Sequence, residues 1–181
     1  VVSKYASIFV QEHRKNRVVT VIKHFPGHGS SKADSHKGFT DVTNTWTSKE
    51  LEPFMQMIEA QKVDMIMTAH IFNKSLDATY PATLSYKVNT ELLRHQMHYE
   101  GVIITDDLQM AAIHKHYSLK ETVTLALNSG VDILLFANQL AKPLRLETII
   151  DVVKGQIKAG KIKEERINES YARVQKLKER L

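Results

Sequence analysis

The chain has 181 residues, of which 43% are hydrophobic and 25% are charged, so its composition is that of a globular domain and excludes a disordered one. It has no cysteine, which excludes disulfide bonds and thiolate metal sites, and no apolar run approaches the roughly 18 to 20 residues of a membrane span. The formal net charge is +5. The basic residues near the carboxyl terminus alternate with glutamates and lack aromatic neighbours, which favours a solvated helix face over a nucleic-acid site.

Strands and helices alternate along the chain. Four short apolar runs predict buried strands, and helical periodicity lies before, between and after them. In chain order we expect a helix at 3–13, a strand at 18–22, a helix at 48–61, a strand at 63–67, a helix at 89–99, a strand at 101–104, a helix at 118–129, a strand at 131–136, and helices at 143–159 and 164–181. Ser48 and Ser118 are expected to cap the helices that they begin, and Gly160 to separate the last two helices.

This order of elements is typical of parallel βαβ units, in which each helix connects two neighbouring parallel strands. The sequence contains no internal repeat and no linker rich in proline or serine. We therefore predict an α/β fold in which residues 1–181 form a single unit.

A dense polar motif follows the first predicted strand, with the letters KHFPGHG at 23–29. It opens a connection that extends to Trp46, longer than the usual βα loop of about 2 to 6 residues, and long ordered loops are commonly functional. This loop contains Asp34 and His36, which are two residues apart. An extended segment would put both side chains on one side, where the carboxylate can orient the imidazole for proton transfer. A solvent-exposed pair is the alternative.

Polar residues stand at the end of every predicted strand. Reacting groups in parallel α/β folds gather at the carboxyl ends of the strands, so these residues predict an active site at one edge of the sheet. They are Lys23 and His24, then Thr68 and His70, then Thr105, Asp106 and Asp107, and finally Asn138.

Two of these positions leave alternatives open. Asp106 and Asp107 are neighbours, so their side chains should diverge; one is expected to face the site and the other to cap the following turn. His70 is either a site residue or a buried histidine that fixes the end of its strand. His28, between two glycines, is expected to be a turn residue.

Three segments carry a family resemblance. They are KHFPGHG at 23–29, DSH at 34–36 and ITDDL at 104–108, in this order and separation. Together they resemble the bacterial β-N-acetylglucosaminidases of glycoside hydrolase family 3. The segments MTAH at 67–70 and PATLS at 81–85 are similar to intervening family segments, so the resemblance extends over nearly the whole chain.

The resemblance implies a (β/α)₈ barrel that removes a terminal β-linked N-acetylglucosamine, from cell-wall or chitin-type saccharides, with retention through a covalent glycosyl-enzyme. It implies that Asp106 is the nucleophile. It also implies that His36, assisted by Asp34, is the general acid/base, in place of the carboxylic acid of most retaining glycosidases. An imidazole with a pKa of about 6.5 suits both proton transfers near neutral pH.

The same resemblance places Lys23 and His24 on the hydroxyl groups of the sugar, and we assign His70 to substrate binding with them. It implies no metal and no cofactor. The partner that it implies is a carbohydrate, and the sequence leaves the exact saccharide and the cellular location open.

A complete barrel of this type needs eight strands and about 250 residues, whereas only four strands are predicted here. The chain is therefore expected to be the carboxyl-terminal half of the catalytic barrel, with open sheet edges. We expect it to pair with another copy or with the missing half, or to belong to a longer enzyme. In isolation it is expected to have little or no glycosidase activity.

Three other functions are compatible with the sequence. A histidine acid/base does not repel an anion as a carboxylate does, so a phosphorylase of the same family is one alternative. A metal-dependent hydrolase is another, with ligands drawn from His24, His28, His36, His70 and Asp106. A non-catalytic binding module is the third.

Overall fold

The computed structural model describes residues 1–31, 40–139 and 142–181. No helix in those ranges combines the length and the apolar character needed to cross a membrane. The elements, in chain order, are helix α1 (Val2–Lys15), strands β1 (Val21–Phe25) and β2 (Thr40–Asp41), helix α2 (Glu52–Glu59), strands β3 (Met65–Thr68) and β4 (Ile71–Phe72), a π-helix (Lys87–Gln96), strand β5 (Val102–Ile104), and helices α3 (Ala111–His114), α4 (Leu119–Asn128), α5 (Leu146–Lys158) and α6 (Glu164–Lys178).

A parallel three-stranded sheet in the order β1-β3-β5 organises the chain, and helices connect its strands, so the predicted α/β class is confirmed. The fourth predicted strand, 131–136, runs beside β5 but pairs with it only through one bridge, between Ile104 and Ile133. The ladder stops there because the Leu135 N–H donates to the Thr105 hydroxyl, at 2.9 Å, instead of to a backbone carbonyl. The described residues form no closed barrel.

The first strand begins and ends three residues later than predicted. The backbone N–H and the hydroxyl of Thr20 both donate to Asp64 Oδ2, at 3.0 and 2.8 Å, and the ladder begins one residue later, at Val21.

A small second sheet, in which β2 pairs with β4 in parallel, was not predicted, because strands of two residues have no periodicity to detect.

Helix caps were predicted with mixed success. Ser118 begins α4 with a reciprocal capping box, in which its hydroxyl accepts from the Glu121 N–H and the Glu121 carboxylate accepts from the Ser118 N–H. The prediction for Ser48 is wrong. Ser48 lies inside a 3₁₀ turn, Ser48–Leu51, which has no side-chain cap and precedes α2.

The main core lies between the sheet and its connecting helices. Phe25, Ile66 and Ile103, one from each strand of the sheet, are completely buried together with Leu93 of the π-helix. The Phe25 ring meets Phe54 of α2 edge to face, with 5.3 Å between ring centroids. This packing fixes the carboxyl ends of the strands, where the polar motifs lie.

Candidate active site

A β-bulge near the end of β1 sets the position of His24. Lys23 pairs with Met67 and Phe25 pairs with Thr68, so His24 is an extra residue on β1. A bulge interrupts the alternation of the strand and redirects a side chain. The peptide bonds before His24 and Pro26 are cis. The Lys23 side chain is exposed and Phe25 is buried, while His24 is 28% exposed at the carboxyl edge of the sheet.

The glycine turn after β1 is held from the α2 side. Gly27 has φ of +118°, a conformation that side chains rarely adopt. The Gly29 N–H donates to the Glu50 carboxylate at 3.0 Å, and the Trp46 indole N–H donates to the Pro26 carbonyl at 3.0 Å. The His28 ring lies edge-on to His24, with 6.0 Å between centroids.

The two neighbouring aspartates after β5 have different environments. Asp106 is 21% exposed; its Oδ1 accepts the Asp107 N–H at 2.8 Å, and its Oδ2 lies 3.6 Å from His24 Nε2. Asp107 is only 6% exposed, and its Oδ1 accepts the N–H groups of Gln109 and Ala137, at 3.0 and 3.1 Å. Asp106 therefore approaches the end of another strand. Asp107 accepts from the following turn, which confirms the predicted cap.

His24 is a neutral imidazole beside a carboxylate. Burial lowers the pKa of His24, the nearby Asp106 carboxylate opposes this, and the Lys23 ammonium and the protonated forms of His28 and His70 lower the pKa further. The 3.6 Å separation also exceeds a good hydrogen bond. At neutral pH the His24 ring is thus able both to donate and to accept a hydrogen bond from a ligand.

His70 is enclosed behind this edge and is 1% exposed. Its Nε2 lies 2.8 Å from the Asp107 carbonyl oxygen, and its Nδ1 lies 2.8 Å from the Thr83 hydroxyl, which in turn lies 2.9 Å from the Thr68 hydroxyl. Both ring nitrogens are thus occupied by protein partners. Of the two interpretations of His70 left open by the sequence, a substrate contact and a buried residue that fixes the strand end, these contacts match the second.

The remaining polar strand ends support loops. Thr105 accepts the Leu135 N–H, and the Asn138 amide both donates to and accepts from the backbone of Leu144. Sequence reasoning missed Gln109, which is buried and bonds to the backbone of both Asn138 and Lys142. No local pattern marks it, because its partners lie about thirty residues away along the chain.

Two of the predicted catalytic residues, Asp34 and His36, lie outside the described residues. Among residues 1–31, 40–139 and 142–181, no three histidine, aspartate or glutamate side chains converge as metal ligands. In the described part of the chain, His24 approaches Asp106, Asp106 accepts the Asp107 N–H, and His70 contacts the Asp107 carbonyl oxygen.

Comparison with known proteins identifies the family. The model of the glycosyl hydrolase family 3 N terminal domain matches residues 1–177. Beta-hexosaminidase A of Pseudoalteromonas piscicida is 34% identical across the whole chain, which covers 33% of that protein. Beta-hexosaminidase of Tolumonas auensis is 37% identical over 77% of the chain and 42% of its own length.

The architecture agrees with this assignment. The structure of a glycoside hydrolase family 3 beta-N-acetylglucosaminidase from Paenibacillus sp. str. FPU-7 matches 99% of the chain with a TM-score of 0.88 and 34% identity. The chain covers 34% of that structure, so it spans less than half the length of these three relatives. The chain belongs to glycoside hydrolase family 3 and matches the model of the family's amino-terminal domain.

Proposed function

We propose that this chain forms the nucleophile-bearing part of a retaining β-N-acetylglucosaminidase, in which Asp106 attacks the anomeric carbon of a terminal β-linked N-acetylglucosamine. The observation that carries the proposal is the environment of Asp106. Its Oδ1 accepts a backbone N–H, and its Oδ2 lies on the side that faces the His24 ring. The side chain stays partly exposed. A carboxylate oriented on one side and open on the other suits covalent attack.

The reaction has two steps. Asp106 Oδ2 forms a bond to the anomeric carbon while the glycosidic C–O bond breaks, and the leaving oxygen takes a proton from His36. His36 then takes a proton from water, which attacks the same carbon and releases the Asp106 carboxylate. Asp34 stabilises the imidazolium. The assignment of His36 and Asp34 is supported by the family resemblance of their segment.

Lys23 and His24 are proposed to hold the hydroxyl groups of the sugar. The exposed ammonium of Lys23 can donate to a hydroxyl oxygen, and the neutral His24 ring can donate or accept. Both belong to the segment that gives the strongest family resemblance, and His24 lies within reach of the Asp106 carboxylate. The sugar would thus be fixed over the nucleophile.

We further propose that residues 1–181 are the carboxyl-terminal half of a (β/α)₈ barrel. Three parallel strands follow one another in chain order, and in the described ranges no strand pairs with the outer edge of β1. Phe9 of α1 lines a cavity together with Val21 and Ile22 of β1, and α1 also exposes Tyr5 and Ile8. An uncovered strand edge beside apolar side chains indicates a further partner, either more residues of a longer protein or a second copy.

The catalytic proposal is tested on the full-length protein that carries this chain. We expect hydrolysis of a nitrophenyl β-N-acetylglucosaminide with retention of anomeric configuration, followed by NMR. Asp106→Asn should lower kcat by at least about 10³-fold, since it removes the nucleophile. Asp151→Asn, an exposed aspartate on α5, is the matched control and should leave kcat unchanged.

Three results would redirect the proposal. An inverted product, or an Asp106→Asn variant with normal kcat, would exclude the covalent role of Asp106. Faster transfer of the sugar to inorganic phosphate than to water would make the protein a phosphorylase. Activity abolished by a chelator and restored by a divalent metal would favour the metal-dependent alternative.

A further inference from the structure

The backbone of Asp107 is fixed on both sides, and each fixing group belongs to the candidate site. Its N–H donates to Asp106 Oδ1 at 2.8 Å, and its carbonyl oxygen lies 2.8 Å from His70 Nε2. Its own carboxylate accepts two further backbone N–H groups. The Asp107 N–H that orients the Asp106 carboxylate and the Asp107 carbonyl thus belong to two consecutive peptide units, and His70 holds the second of them to the end of β3.

The contacts of His70 determine where its proton lies. A carbonyl oxygen only accepts, so Nε2 carries a hydrogen and donates it to Asp107. Burial lowers the pKa of His70, which leaves the ring neutral at neutral pH and Nδ1 without a proton. Nδ1 therefore accepts the Thr83 hydroxyl, and Thr83 accepts the hydroxyl of Thr68. The Ala69 carbonyl oxygen, 2.9 Å away, also accepts from Thr83, so His70 Nδ1 and Ala69 share the single hydroxyl hydrogen of Thr83.

We propose that His70 is a positioning residue for Asp106: by holding the Asp107 carbonyl it fixes the backbone of Asp107, the residue whose N–H orients the Asp106 carboxylate. The inference rests on the proposed function of Asp106. His70 touches neither sugar nor reacting atoms in this role. It acts by holding one hydrogen bond in a fixed direction from a ring that is itself held by Thr83.

The polarity of this cluster supports a positioning role. A buried imidazole and two buried hydroxyl groups require partners that apolar side chains would not need. This cluster is local. Thr68 ends β3 and is followed directly by Ala69 and His70, and Thr83 lies in the adjoining 3₁₀ turn Ala82–Leu84. The one ring hydrogen bond that leaves this region ends on the residue after Asp106. It is therefore the direct side-chain link from this cluster to the peptide that carries the proposed nucleophile.

Two substitutions at His70 separate positioning from packing in the full-length protein. His70→Leu removes both ring hydrogen bonds, and we expect kcat to fall by about 10- to 100-fold, the usual effect of removing such a supporting partner. His70→Gln places an amide N–H near the position of Nε2 and should restore most of that loss. KM should change by less than about threefold in both, and the pH dependence of kcat should keep its shape.

Thr83→Val is a second variant that leaves His70 in place. It removes the hydroxyl that orients the ring. The kcat of Thr83→Val is expected to lie between the values for His70→Leu and for the unchanged protein. Thr90→Val is its matched control, because Thr90 is also a buried threonine whose hydroxyl donates to a carbonyl, that of Ser129 at 2.8 Å. It should lower the melting temperature without lowering kcat.

Several outcomes would overturn the inference. A higher KM with unchanged kcat would make His70 a substrate ligand, and a shifted limb of the pH profile would make it a proton-transfer group. A His70→Leu variant that folds and has normal kcat would leave it without a role in positioning. If the unchanged protein itself shows no turnover, the proposed function fails and this inference fails with it.

A spectroscopic readout tests the geometry without any activity. In the ¹⁵N-labelled 181-residue chain, the imidazole nitrogens of His70 should report the Nε2–H tautomer at neutral pH, identified by comparison with His70→Gln. An Nδ1–H tautomer would contradict the hydrogen bond to Asp107, and a charged ring would contradict the role of Nδ1 as acceptor of the Thr83 hydroxyl. This result is independent of whether Asp106 is the nucleophile.

Discussion

His24 and His70 show how burial gives two histidines at one edge of a sheet different properties. Burial is the main cause of the lowered pKa of both side chains. His24 keeps an open side and faces the Asp106 carboxylate, whereas His70 has no open side and both of its nitrogens are bonded. The first can contact a ligand, and the second can only hold the protein.

The buried His70 predicts a dependence of stability on pH. Its pKa is lowered from 6.5 on folding, although Asp106 and Asp107 oppose the shift and His28 adds to it. Below about pH 6.5 the unfolded chain therefore binds a proton that the folded chain rejects, so the free energy of unfolding decreases as pH falls. Measured by urea denaturation, the free energy of unfolding should decrease less between about pH 7.5 and about pH 5.5 in His70→Gln than in the unchanged protein. An equal decrease in both proteins would contradict this.

Gly27 predicts a local requirement for glycine. A side chain at its φ of +118° is strained, and an added Cβ would overlap Glu50 Cβ, which is bonded directly to the backbone of the 3₁₀ turn Ser48–Leu51. Gly27→Ala should lower the free energy of unfolding by about 2 kcal/mol or more. Gly160→Ala is the control for a positive φ, here +68°, without steric overlap, since its Cβ meets no atom within 4 Å, and it should be less destabilising. Equal losses would show that the Glu50 contact is unimportant.

At the level of elements, a buried carboxylate joins three parts of the fold. Asp132 Oδ2 accepts from Arg94 of the π-helix and from the Ile103 N–H of β5, at 2.7 and 3.0 Å. Its Oδ1 accepts from Arg166 and Ser170 of α6, both at 2.8 Å. Arg173 of α6 also donates to Asp132 Oδ1, at 3.2 Å. The Asp132 side chain has no exposed surface, so its charge depends on these protein partners.

Asp132→Asn should therefore destabilise the chain strongly. It leaves the buried guanidinium groups without their carboxylate, and loss of one partner of a buried ion pair costs about 3 to 5 kcal/mol. Chemical denaturation of this variant should be compared with that of Asp151→Asn, which removes an exposed carboxylate of α5. A difference below about 1 kcal/mol between the two would show that the network contributes little.

For the whole molecule, the decisive feature is the outer edge of β1. In the described ranges that edge has no paired strand, and Phe9 of α1 is 59% exposed beside it. Parallel strands are normally paired and covered, so an unpaired edge strand beside an exposed apolar helix face is a surface on which another strand or helix can pack. The proposed barrel would cover this surface.

The 181-residue chain alone is accordingly predicted to associate and to be inactive. Light scattering should show an average mass that rises with protein concentration. Phe9→Lys should reduce this rise. Tyr171→Lys, which changes a similarly exposed aromatic residue on α6, should leave it unchanged. The isolated chain should not release nitrophenol from a β-N-acetylglucosaminide. A monomer at all concentrations would exclude self-pairing, and efficient turnover by the isolated chain would exclude the need for a second half.

The sequence predicted what depends on local pattern and missed what depends on distant partners. Periodicity and spacing predicted the alternation of strands and helices and the Ser118 cap. They also predicted that strand ends approach one another, as His24 and Asp106 do. The start of β1 depends on Asp64, forty-four residues from Thr20, and the bonds of His70 on Thr83 and Asp107. Such long-range polar contacts leave no periodic signal.

The most direct test of the account is the covalent labelling of Asp106. The full-length protein would be treated with a fluorinated N-acetylglucosaminide that forms a slowly hydrolysed glycosyl-enzyme, then digested and sequenced by mass spectrometry. We predict one added sugar on Asp106 and none in Asp106→Asn. A sugar on Asp107 or any other residue, or labelling that persists in Asp106→Asn, would contradict the assignment of the nucleophile.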